Sequence, residues 1–81
     1  MKVKTLIAML KRMDPERVVI LQKDAEGNGY SPLRGADDNA LYAAESTWSG
    51  EVGRERLSKR EREEGYELGH GKRAVVLYPV N

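Results

Sequence analysis

RVVILQK, residues 17–23, holds four consecutive apolar residues, Val18 to Leu21, between charged and polar ends. An unbroken apolar run of this length predicts a strand covered on both faces, since a strand with one wet face alternates. A second run of the same kind, Ala74 to Tyr78 in AVVLY, closes on Pro79. The two predict neighbouring strands in the middle of one sheet. Upstream, Leu6, Leu10 and Met13 fall at i, i+4 and i+7 and predict a helix over 5–13, with Thr5 as N-cap and Asp14-Pro15 as its stop. Lys11 and Arg12 suit the negative end of its dipole.

Between the two runs the pattern is weaker. Asn28-Gly29 is a strong turn signal and Pro32 argues against a regular strand, so 24–38 reads as a wide connection. Asn39 to Ala44 reads as a shorter strand, and residues 45–53 as a loop of small polar residues and glycines. Ser58-Lys59-Arg60-Glu61 matches a capping box and predicts a short charged helix ended by Gly65. The expectation is therefore an α+β fold in one domain over 1–81. Its element order is α-β-β-α-β, with a three-stranded, mainly antiparallel sheet and helices packed on one face.

Composition narrows the function. The chain has 81 residues, no cysteine, one histidine and a net charge of +1. Disulfides and Cys-type zinc sites are excluded, and a histidine cluster with them. The near-zero net charge disfavours nucleic-acid binding, although 1–22 is basic and 23–51 acidic. The apolar stretch Leu6 to Leu10 is too short for a signal core or a membrane span, so a cytosolic protein is expected. A domain this small has a thin core and no staple, which favours a homodimer or larger ring.

No catalytic constellation is legible. His70 lies between two glycines, as an exposed turn residue does, and no serine has a nucleophile-elbow context. Asp24-Ala-Glu26-Gly-Asn28-Gly29 imitates the start of a calcium loop, but Gly35 stands where the bidentate glutamate belongs. The pairs Gly27/Gly29 and Gly69/Gly71 lack phosphate-loop spacing and read as turns. The signs in Glu51 to Glu64 cancel, as on a salt-bridged exposed helix. No metal and no cofactor are expected, and the chain reads as a non-enzyme. The residues left for binding are Tyr30, Arg34, Trp48, Arg54 and Arg56. Trp48 in its Ser/Thr/Gly loop could stack on a base while guanidiniums hold phosphate. It could equally anchor a protein interface or fold back on a small core.

The strings DPERVVILQKDAEGNGYSPL, STWSGEV and RAVVLYPVN resemble a group of small uncharacterised bacteriophage and prophage proteins. The resemblance spans most of the chain. It implies a setting, the infected bacterial cytosol, and no particular mechanism. Two readings suit that setting. One is an oligomeric counter-defence protein that sequesters an anionic small molecule, such as a host signalling nucleotide, in a pocket between protomers. The other is a protein-interaction module that inhibits a host protein.

Overall fold

The computed structural model describes residues 1–23 and 29–80. Their elements are α1 (Val3–Lys11), β1 (Val18–Leu21), β2 (Leu33–Ala44), β3 (Gly50–Gly53), α2 (Lys59–Glu63) and β4 (Lys72–Pro79). The α+β class stands. The sheet has four strands in the order β1-β4-β2-β3, not three, and the element order is α-β-β-β-α-β. β2 runs antiparallel to both β4 and β3, while β1 and β4 are parallel.

The two apolar runs are neighbours, as expected, with Val18 opposite Ala74 and Leu21 opposite Leu77. β1, however, is an edge strand and not a central one. β2 begins six residues earlier than the sequence suggests. A register shift between Asp37 and Ala40 explains why: Asp37 Oδ1 accepts from the Asn39 backbone N–H at 2.8 Å, and this Asx turn sits as an irregularity inside the strand. β3 carries no apolar periodicity, and pairing with β2 makes it a strand.

α1 starts at Val3 on Lys2, with no side-chain cap, so Thr5 is not the N-cap; the helix ends at Lys11, before Asp14-Pro15. Its apolar stripe faces the sheet surface carrying Val19 and Val75, and a groove of about 400 Å³ remains between Ile7, Leu10 and Met13 and those valines. The capping box of α2 forms as expected: Ser58 Oγ accepts from the Glu61 N–H, and Glu61 Oε1 accepts from the Ser58 N–H. α2 makes no comparable contact with the sheet, so only α1 packs on a face.

The interior is thin. Among the described residues, the buried apolar side chains are Ala40, Ala74 and Val75, and no large side chain is fully enclosed. Arg17 is buried beside them. Its Nη1 donates to the carbonyls of Ala40 and Ala74, and its Nη2 meets Glu55 Oε2 at 2.6 Å. Arg73 bridges Glu55 and Asp14, both at 2.8 Å. This chain of four charged groups ties the α1–β1 turn to β4 and to the segment after β3.

Candidate functional site

Residues opposite one another across the ladders share a face, and successive residues alternate. Val18, Ile20, Ala74, Val76, Ala40, Tyr42 and Val52 therefore lie on the face away from α1. The sheet curls about this face. The outer strand β1 and the β2–β3 turn, at opposite ends of the strand order, line one trough of about 630 Å³. Tyr42 and Val76 form its floor, and Leu21, Lys23, Trp48 and Val52 its rim. A second hollow beside Val18, Ile20, Tyr42 and Lys72 continues it along the sheet.

The turn that carries Trp48 is held by its own hydrogen bonds. The backbone N–H groups of Glu45 and Ser46 both donate to the Ser49 carbonyl. Ser46 Oγ accepts from the N–H groups of Trp48 and Ser49 at 3.2 and 3.1 Å and lies 3.0 Å from Ser49 Oγ. The indole itself stays 73% exposed, so it is not a lid over the core. Lys23 reaches across from the end of β1. Its Nζ donates to the Trp48 carbonyl at 2.5 Å and stands 5.3 Å from the ring centroid, a cation–π distance.

Of the five residues singled out in the sequence, Trp48 alone lines this trough. Arg34 is exposed near the first end of β2, and Trp48 lies beyond the other end of that twelve-residue strand. Tyr30 stands fully exposed outside any strand. Arg54 and Arg56, singled out as anion-gripping candidates, each have a carboxylate partner: Arg54 meets Glu61 of α2 at 3.4 Å, and Arg56 meets Glu55 at 3.2 Å. Within one protomer the five do not converge. Lys23, which the sequence pattern does not single out, is the cation beside the indole. Its place, two residues past an apolar strand, carries no signal of that partner.

The other motifs are structural. Gly53 and Gly69 pass backbone to backbone, and a Cβ on Gly53 would collide with Gly69 Cα. Gly71 has φ +105°, in the region that favours glycine, and marks the turn into β4. His70 is exposed in that turn. The calcium-loop imitation falls on Asp24 to Asn28, outside the described residues. Among the described residues, no cluster of metal-ligating side chains occurs, and no helix is long and apolar enough to cross a membrane.

Among the described residues, two carboxylates have shifted acidities, and both serve the fold. Hydrogen bonds from Arg17, then Arg73, hold Glu55 below the ordinary carboxylate range. The Ser58 backbone N–H, followed by its hydroxyl, does the same for Glu61, with Arg54 assisting. Neither faces the trough. The trough thus presents an apolar floor with Tyr42, an exposed indole on a hydrogen-bonded turn and one ammonium, which is equipment for binding. Comparison of the chain with protein-family models, with curated proteins and with solved structures finds no match.

Proposed function

We propose that the protein is a non-enzymatic binding module that engages an apolar segment of another protein through the trough, with Trp48 as anchor. The observation that carries this reading is the exposed indole on a hydrogen-bonded turn at the rim of an apolar trough. A turn whose backbone is held before contact lowers the ordering cost of binding, and tryptophan is a frequent interface anchor. In the setting implied by the resemblance to phage proteins, the target is a host protein that the module inhibits.

The test uses the chain's own probe, since Trp48 is its sole tryptophan. A host protein recovered from bacterial lysate and then purified should shift the Trp48 emission to the blue on titration. Trp48→Ala should weaken binding by about tenfold or more. Recovery that is indifferent to Trp48→Ala, or complex formation without an emission change, rejects the reading.

One observation favours a second reading, an anionic small molecule such as a nucleotide: Lys23 sits over the ring on which a base would stack. Any such ligand must raise the unfolding temperature at saturation, and Lys23→Ala must abolish the rise. A nucleotide panel that leaves the unfolding temperature unchanged removes this reading and leaves the first standing.

A further inference from the structure

The trough leaves the open side of β1 unexplained. Its sequence, Val18-Val19-Ile20-Leu21, is that of a central strand, yet among the described residues only β4 pairs with it. Protected edge strands carry a lysine, a proline or a bulge to deter pairing, and these four residues have none. The Gln22 N–H donates inward to the Leu77 carbonyl at 2.9 Å. Backbone groups alternate sides along a strand, so the N–H and C=O of Val19 and of Leu21 point to the open side. The side chains of the same two residues are 63% and 69% exposed.

We infer that this edge pairs with β1 of a second copy, antiparallel about a twofold axis, to form one eight-stranded sheet across the dimer. With Ile20 on the axis, Val19 stands opposite the partner's Leu21. All four outward backbone groups are then used in two hydrogen-bonded pairs. The partner's Leu21 comes to lie beside Val19, at the groove lined by Ile7, Leu10 and Met13. The contact is self-complementary, as a twofold interface must be.

Area argues for a second copy as the occupant. The protomer exposes 6613 Å², against roughly 4,900 Å² for a compact monomer of its 9.1 kDa mass. Its radius of gyration is 13.7 Å, where about 11.7 Å is typical of 81 residues. The surplus surface exceeds the roughly 800 Å² that each partner gives to an interface of standard size. A net charge of +1 sets little repulsion against self-association.

Sedimentation equilibrium of the full chain across the micromolar range tests this inference, which rests on the β1 edge and not on Trp48; Ile20 and Leu21 also line the trough, so the Trp48→Ala arm separates the two readings. A dimer is expected, unchanged in Trp48→Ala. Leu21→Lys should raise the dissociation constant more than about tenfold. It should keep the far-UV circular dichroism of the wild type, because residue 21 is exposed in the protomer. The chain has no cysteine, so Ile20→Cys can form a disulfide only between copies. Facing residues of a non-hydrogen-bonded pair lie about 4.5 Å apart at Cα, within disulfide range. Mild oxidation should therefore link Ile20→Cys into a covalent dimer and leave Val3→Cys, on the exposed start of α1, largely unlinked. A wild type that stays monomeric overturns the inference. So does a dimer that neither responds to Leu21→Lys nor cross-links through residue 20.

Discussion

Among the described residues, Arg17 is the buried charged side chain of the interior. Its side chain is 3% exposed, and it spends its donors on two strand carbonyls and on Glu55, although its Nε has no partner. Arg17→Ala should cost about 3 kcal/mol, because it leaves the Ala40 and Ala74 carbonyls and the Glu55 carboxylate without this buried donor. Urea unfolding measures that loss, and a midpoint equal to the wild type would refute it. Glu55 supplies a pH signature. Its folded pKa is lowered by Arg17 first and Arg73 second, so the unfolded chain binds more protons as the solution is acidified. The stabilisation is complete above the ordinary carboxylate range and is lost as pH falls through the lowered folded value. Glu55→Gln should therefore lower the urea midpoint at neutral pH and flatten its acid dependence, while below the folded pKa the two proteins converge. None of this network is legible in the sequence. Arg17 and Glu55 are 38 residues apart and Asp14 and Arg73 are 59 apart, so only tertiary structure brings them together.

Among the elements, the readable ones are those whose signal is local. The capping box of α2 is such a case, since four adjacent residues contain the whole device. Ser58→Ala should cost about 1 kcal/mol of helix stability. Because α2 packs weakly on the sheet, the loss should stay local. Hydrogen exchange should quicken at the amides of Glu61 and Arg62 while those of Val75 and Val76 keep their protection. An equal acceleration in β4 would mean that α2 and the sheet unfold as one unit. β1 and β4 are legible by the same logic, as apolar runs. β3 and the first half of β2 are not, because their state is set by pairing. Gly50 to Gly53 become a strand only against Leu41 to Ala44, and the Asp37–Asn39 turn hides the continuity of β2. The site divides in the same way. Trp48 stands out in a small-residue loop, while the trough it rims depends on Tyr42, Val76 and a sheet curl that no local window contains.

The whole molecule is short of interior, and that links the edge strand to the thermodynamics. Among the described residues, three small or medium apolar residues form the buried core, and the largest apolar side chains lie at least partly in solvent. At ~25 cal/mol per Å² of apolar burial, a core of this size offsets little more than the entropy of ordering the chain. The parallel β1–β4 pair sharpens the point, since parallel strands are found where both faces of the sheet are covered. Pairing two β1 strands would cover Val19 and Leu21 and turn an edge into the centre of a sheet. A central position is what the unbroken apolar run at 18–21 predicts. If folding draws on this contact, unfolding releases two chains, and mass action makes the midpoint depend on concentration. The unfolding temperature of the wild type should climb steadily as protein concentration rises across the micromolar range. That of Leu21→Lys should be lower and flat, because a monomer unfolds without changing the number of particles. Differential scanning fluorimetry at a series of concentrations separates the cases. A wild-type midpoint independent of concentration at every value where sedimentation finds a dimer would mean that each protomer folds on its own and the edge contact adds no stability.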